Sequence, residues 1–439
     1  MTTRDHIVVI GASIAGLLAA RVASDHAQRV TIIERDTLTD TDHVRAGVPQ
    51  SRHVHGLLVR GLAILRDLFP GLDDDLDAAG VPRVEWMRQT VQRIPTGWTP
   101  RYASSLETRP VHRAALEAIL RRRVRAIPNI TFRTGVQVRD LIAQGSRVHG
   151  VRIEPRRPSA APPIDIPADL VIDCSGRGSH MPEWLRALGF DAPRVEVVNA
   201  HLAYASRVYA MPADFRPDWR ALLMLPAPEN PRGGVLTEIE RGQWMLTVAG
   251  TGGDVPPTDD AGFAAFIDRI GAQPLCDALR HAQPLTPIYG YRRTESRRQR
   301  YDALRRMPHG VIVMGDAVAA FNPVYGQGMT AAALGARLLG RALAAPARRG
   351  FEITFQRRLA RAVFPLWLMA VTEDARYRTT EGVRWRGVYM LLNRYNDWLF
   401  QRLPSSPTLA QSFLRVLHVV DAPLALLHPR VIMARLHRR

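Results

Sequence analysis

One short stretch near the start constrains the fold more than any other. Residues 7–10 form an unbroken β-branched run, as expected of a strand buried on both faces. Gly11-Ala12-Ser13-Ile14-Ala15-Gly16 follows, opening an alanine- and leucine-rich segment, residues 14–23, that predicts a helix. Residues 30–33 read as a second buried strand, ending in Glu34. A βαβ unit with its glycine turn between strand and helix is the setting in which a dinucleotide fingerprint carries meaning. Gly11 permits the sharp turn out of the strand, and Gly16 lets the helix pack close to the sheet. Ser13, Ile14 and Ala15 open the helix, where free N–H groups and a partial positive charge suit a pyrophosphate. Ser13 replaces the middle glycine of the fingerprint; it is small, and its hydroxyl can donate to phosphate. Glu34, with Arg35 beside it, can accept from both hydroxyls of an adenosine ribose. Its charge repels a 2′-phosphate, which favours FAD or NAD over NADP.

About 275 residues later the pattern returns. Residues 311–314 read as another buried strand, followed by Gly315-Asp316, a loop with Pro323, then Gly326-Gln327-Gly328 and a long helix from Met329. A carboxylate at the end of a strand in an α/β sheet lies where ligands bind such sheets, and Asp316 can accept from a polyol. The Gly326–Gly328 loop offers backbone N–H groups ahead of a helix N-terminus, which suits negative charge such as that on the pyrimidine edge of a reduced flavin. The long excursion between the two motifs leaves room for an inserted domain.

Composition removes whole classes of chemistry. The 439 residues contain no lysine, so all 59 basic residues are arginine. A Walker lysine, a Schiff-base lysine and a lysine general base are therefore excluded. Two cysteines, Cys174 and Cys276, cannot build a cysteine-based zinc site, an iron–sulfur cluster or a disulfide framework. No carboxylate or histidine cluster at metal spacing appears, so no metal is expected. The net charge of +18 is spread along the chain rather than gathered in one tail, the pattern of a GC-rich genome and not of nucleic-acid binding. No apolar run approaches the roughly 20 residues of a spanning helix, and the N-terminus lacks a signal-peptide pattern. A cytoplasmic protein is expected.

The two motifs together resemble the FAD-dependent monooxygenases of the para-hydroxybenzoate hydroxylase type. Residues 47–58 (Gly-Val-Pro-Gln-Ser-Arg-His-Val-His-Gly-Leu-Leu), 168–179 and 321–329 look like those of actinobacterial polyether epoxidases, relatives of squalene epoxidase. The resemblance implies an α/β fold with a Rossmann-like FAD-binding domain on a parallel sheet, an inserted antiparallel-sheet substrate domain and C-terminal helices. It implies FAD contacts from Gly11, Ser13, Ile14, Ala15, Gly16, Glu34, Arg35, Arg52, Arg109 and Val138, the last through its backbone at adenine. At the flavin end it implies Asp316, Pro323, Gly326, Gln327, Gly328 and Met329. The activity implied is insertion of one oxygen atom from O2, by epoxidation or hydroxylation, into a small lipophilic polyketide, terpenoid or aromatic intermediate through a flavin hydroperoxide. No side chain is assigned as catalytic. NADPH or NADH would supply electrons, directly or through a separate flavin reductase.

Two departures from the family stand out. The usual mid-chain Asp-Gly pair is Ser175-Gly176 here, and its downstream arginine is missing. These leave open a second reading, FAD as a structural element in a cyclase; an arginine-rich nucleic-acid-binding protein is a third. Flavin-dependent halogenases share the fold but need a lysine and a Trp-x-Trp-x-Ile-Pro segment, both absent. The expected division assigns residues 1–75, 109–190 and 296–345 to the FAD domain, 76–108 and 191–295 to the substrate domain, and 346–439 to C-terminal helices. Residues 195–205 and 244–249 read as sheet strands, with His201, Tyr204 and Thr247 on an outer polar face or bonded locally, and substrate contact as the alternative reading. The C-terminal helices of residues 350–439 read as a cover over the substrate domain, with a lid or weak membrane-surface contact by the same region as the sharper alternative.

Overall fold

The computed structural model describes residues 4–39, 44–45, 47–157, 162–346, 349–429 and 431. The first motif folds as its pattern requires. Arg4–Ile10 and Ala27–Glu34 pair in parallel and are joined by the Ile14–Ala23 helix. Leu170–Asp173, Val311–Val313 and Ile130–Thr134 complete a five-stranded sheet, parallel throughout, in the order 311–313, 170–173, 4–10, 27–34, 130–134. Three strands that are far apart in sequence thus lie side by side. Their central residues, such as Val8, Ile32, Val171 and Ile312, are almost wholly buried because helices cover both faces.

The excursion builds a second, eight-stranded sheet around Ala203–Ala210, Trp244–Gly250, Arg232–Glu238 and Ala221–Met224. These four run antiparallel. Thr90–Ile94 pairs in parallel with Ala221–Met224, because it arrives from the first third of the chain and no hairpin dictates its direction. The run 195–205 is not one strand. Val195–Val198 pairs with Ser296–Gln299 in a separate sheet, and Ala203–Ala210 opens the large one. The break falls at His201, whose φ of +50° and N–H bond to Asn199 Oδ1 turn the chain.

C-terminal helices Phe351–Asp374, Arg386–Phe400 and Pro407–Leu417 pack over the junction of the two sheets. No helix among the described residues is long and apolar enough to cross a membrane. The arginines and histidines of 432–439, part of the expected membrane-facing segment, lie outside the described residues.

Candidate functional site

The two sequence motifs meet in space. Gly11, at φ +97°, sits so close to the neighbouring strand that a Cβ there would lie 2.7 Å from the Cys174 carbonyl oxygen. A Cβ on Gly16 would lie 1.8 Å from the Gly11 carbonyl oxygen, so both positions demand glycine on steric grounds. Across the turn, a Cβ on Gly315 would lie 2.6 Å from Ala15 Cβ. The strand–turn of the second motif is therefore packed directly on the helix start of the first.

A cavity of about 1160 Å³ opens at this junction. Of the expected site residues, Ser13, Ile14, Ala15, Arg35, Asp316, Pro323, Gly326, Gln327, Gly328 and Met329 border it. Gly11, Gly16 and Glu34 do not border it. Glu34 is 5% exposed; its carboxylate accepts the Ala12 N–H at 2.7 Å and the Asp36 N–H at 2.9 Å. Arg45, which sequence reasoning passed over, lies 3.1 Å from Glu34 and also pairs with Asp36 and Glu117. Ser13 differs from expectation in detail. Its hydroxyl donates to Glu117 at 2.9 Å and accepts from Arg113 Nη2 at 2.9 Å, so its proton is directed at a protein carboxylate.

Beyond Gly11, Gly16 and Glu34, three more expected contacts do not reach the cavity. Arg109 is fully buried and its guanidinium is bound by Asp73 at 3.0 Å, Asp77 at 2.6 Å and the Val81 carbonyl at 3.0 Å. In the link between the Glu107–Thr108 and Val111–His112 strands, Thr108 and Pro110 face the cavity and Arg109 points the other way. Arg113, four residues on and opening the Arg113–Arg125 helix, borders the cavity instead. Arg52 is exposed, with its guanidinium 4.3 Å from the Tyr289 ring centroid. Its turn, Pro49–Arg52, presents Pro49 and Gln50 to the cavity. Val138 pairs with Ile153 in the hairpin beyond the parallel sheet and does not border the cavity.

The far end of the cleft carries a distinct electrostatic pattern. Burial raises the Asp316 carboxyl above its ordinary range, with Arg177 and Arg113 pulling the other way. No hydrogen bond or ion pair joins Asp316 to another described residue, so its oxygens are free for a ligand's hydroxyl donors. Gln327 places its Oε1 in the protein without a partner, and Gly328 begins the Gly328–Ala344 helix, whose positive end faces the cavity. An unpartnered carboxylate beside an amide-rich helix start fits a polyol joined to an electron-rich ring. At the opposite end, the Ser13–Ala15 helix start borders the cavity and fits a pyrophosphate, while Glu34 lies behind the lining with its oxygens on Ala12, Asp36 and Arg45. The residues present thus suit FAD. Asp173, at the end of its strand, accepts from the Ser175 N–H at 2.9 Å and Ser175 Oγ at 2.6 Å, so Ser175 braces the chain at the position of the missing Asp-Gly pair.

Beyond this cleft the cavity widens between the large sheet and the C-terminal helices. Tyr204 and Thr247 face it, not solvent. The sheet has no solvated face, because its other side packs on Phe263, Phe266 and Leu275 of two covering helices. His201 stays outside, 3.1 Å from Glu381. Tyr204 stacks on Tyr291 with centroids 5.3 Å apart, and His53 meets Tyr204 edge-on at 4.5 Å. Burial, with Arg52 and His112 nearby, lowers His53 to about 3; burial, with Arg113 nearby, lowers His55 to about 3. Both rings are neutral at physiological pH. Leu392, Tyr395, Phe400, Phe413 and Leu417 from the C-terminal helices form the apolar roof. The described residues contain no cluster of three potential metal ligands.

The sequence profile of the family described as FAD binding domain matches residues 4–352. Protein Rv3254 of Mycobacterium tuberculosis (strain ATCC 25618 / H37Rv) is 35% identical over 444 residues, which cover 95% of this chain and 90% of that protein. The structure is similar to that of flavin-dependent brominase Bmp2, with a TM-score of 0.66 and 17% identity, covering 94% of this chain and 93% of that one. It is also similar to p-nitrophenol 4-monooxygenase PnpA from Pseudomonas putida DLL-E4, with a TM-score of 0.63 and 17% identity over 96% of this chain and 100% of that one. At such identities the likeness to both structures is one of fold.

Proposed function

The chain belongs to the FAD-binding-domain family, and from that premise we propose that it is a flavin-dependent monooxygenase. Its substrate is a small lipophilic molecule with an alkene or an electron-rich ring, of the kind made on polyketide or terpenoid routes. Bound flavin, reduced by NADPH or NADH directly or through a separate reductase, supplies the activation of O2 for transfer of one oxygen atom.

The carrying observation is continuity. One cavity runs from the Ser13–Ala15 turn past Asp316 and Gly326–Met329 into an apolar chamber. The chain's own residues then have separable tasks. Glu34 and the helix start beyond Ser13 hold the adenosine and pyrophosphate end. Asp316 accepts from the polyol, and Arg113 balances charge between the two. The Gln327–Gly328 helix start would face the ring edge of a bound flavin and favour negative charge there. Leu392, Phe400, Phe413 and Leu417 exclude water, which an oxygen-transfer reaction requires if peroxide is not to be lost. The mainly apolar walls position a lipophilic substrate, with Glu229, Glu373, Arg376 and Asp397 also at the cavity wall, and no nucleophile is needed. The absence of lysine from the chain argues against halogenation despite the shared fold with Bmp2.

Purified protein tests this directly. A yellow chromophore absorbing near about 450 nm is expected. Its bleaching by NADPH or by a flavin reductase, followed by oxygen-dependent conversion of a substrate, supports the reading. A substrate found by comparing metabolites of a deletion strain and its parent would be used. Turnover under strict anaerobiosis would replace it with the cyclase reading, and protein that refuses FAD would end it.

A further inference from the structure

The loop that carries Gly326–Gly328 is held from behind by a single carboxylate. Asp374 closes the Phe351–Asp374 helix and is 2% exposed. Its Oδ1 accepts both the Tyr325 hydroxyl at 2.8 Å and the Asn322 side-chain amide at 2.9 Å. Asn322 in turn accepts the Val324 N–H at 3.2 Å, which shapes the Pro323–Tyr325 turn. Ser296 Oγ accepts the Asn322 N–H at 3.1 Å and lies 3.5 Å from Asp374 Oδ2. The segment from Asn322 to Tyr325 is thereby tied at both ends to one buried side chain, immediately before Gly326 at φ +64° and the start of the Gly328–Ala344 helix.

This is an expensive way to hold a loop. Arg376, two residues along, is committed to Glu373 and Asp397, so the Asp374 carboxylate has hydrogen bonds but no cation of its own. Burial accordingly pushes its carboxyl up to about 7. A buried charge without an ion-pair partner weakens a fold relative to an apolar side chain of similar size. Packing alone therefore does not account for an aspartate here; its geometric gain is the placement of two donors on one loop.

We propose that Asp374 is a positioning residue for the flavin, fixing the shape of the Asn322–Gly328 loop so that its backbone amides meet the ring edge. The proposal rests on the reading of this cleft as an FAD site. Asp374 does not border the cavity, so it acts through Tyr325 and Asn322. Its charge is not what the loop needs. An asparagine at 374 keeps Oδ1 for both donors, and its Nδ2 can donate to Ser296 Oγ.

The test titrates FAD into the apoproteins of wild type, Tyr325→Phe, Asp374→Ala and Asp374→Asn. It follows flavin fluorescence, the visible spectrum of the bound cofactor and the thermal melting of each apoprotein. Loss of one hydrogen bond in Tyr325→Phe should raise the FAD Kd about 3- to 10-fold and alter the shape of the band near about 450 nm. Asp374→Ala should do more, and Asp374→Asn should bind FAD as wild type does. Wild-type affinity and an unchanged spectrum in both Tyr325→Phe and Asp374→Ala would overturn the proposal. So would an Asp374→Asn variant impaired as badly as Asp374→Ala, or Kd changes that merely follow lost apoprotein melting temperature. Wild type that fails to bind FAD would instead overturn the FAD reading on which the proposal stands.

Discussion

Replacing Glu34 by glutamine separates the structural and ligand-binding roles of one side chain. In the folded protein its two oxygens serve two different backbone donors, Ala12 N–H and Asp36 N–H, and Oε2 also faces Arg45. Glutamine has only one acceptor oxygen. The cheaper amide orientation keeps that oxygen on Ala12 and Arg45 and sets an NH2 group against the Asp36 N–H. One buried donor left unmet costs about 1–3 kcal/mol, and Arg45 keeps Asp36 and Glu117. Urea unfolding of the apoprotein should therefore show a loss in that range with the slope unchanged. FAD binding should fall further. Hydrogen bonds from ribose hydroxyls to a charged carboxylate are worth about 1.5–3 kcal/mol, which converts to a roughly 10- to 100-fold rise in Kd. FMN has no adenosine ribose, so its affinity should change far less. Equal weakening of FAD and FMN would refute the ribose assignment, and wild-type FAD affinity would remove Glu34 from the site altogether.

Gly16→Ala places a methyl group 1.8 Å from the Gly11 carbonyl oxygen, so the helix must move off the strand. A stability loss of about 1–3 kcal/mol or more, with lost FAD binding, is expected in unfolding and titration experiments. Arg109→Met should lower stability by about 1–3 kcal/mol, since Asp73 and Asp77 are partly exposed and can rehydrate. The same variant should leave the FAD Kd of the folded protein unchanged; a large rise would restore Arg109 to the site. Asp374 titrates near 7 when folded against an ordinary 3.8, so the unfolded chain loses this proton first as pH rises. Its contribution should therefore fall between about pH 4 and 7, by about 4 kcal/mol at most, and level off above. Urea unfolding of wild type and Asp374→Asn across that window should show the stability difference moving in favour of the variant; a pH-independent difference would refute the assignment.

The fingerprint turn was legible because its constraints are local. Gly11 and Gly16 are required by contacts within one strand–turn–helix, and unbroken β-branched runs such as residues 7–10 signal strands covered on both faces. The partnership of the first motif with Asp316 could be read from the order in which strands return. The choice among arginines could not. With 59 guanidiniums in the chain, residue type says nothing about which one reaches the cleft, and Arg109 and Arg113 are separated by direction alone. For Tyr204 and Thr247 the choice between solvent and cavity could not be read either; Thr247 is bonded locally to Ser206 and Val54, and both residues border the cavity. Alternation along a strand tells which residues share a face, but not whether that face meets water or a chamber roofed by helices from the end of the chain.

Sequence alone thus determined the backbone of the Gly11–Gly16 turn, the presence of two strand ends with glycine turns after them and the chemistry that a lysine-free, cysteine-poor chain cannot perform. Tertiary structure decided which polar side chains face the cleft, how far the cavity extends under the Arg386–Phe400 roof, and that Asp374 grips the Asn322–Tyr325 segment. The physical reason is range. Steric limits on φ, strand burial and missing residue types act within a few positions, whereas a cavity wall is made by side chains whose only relation is where packing leaves them.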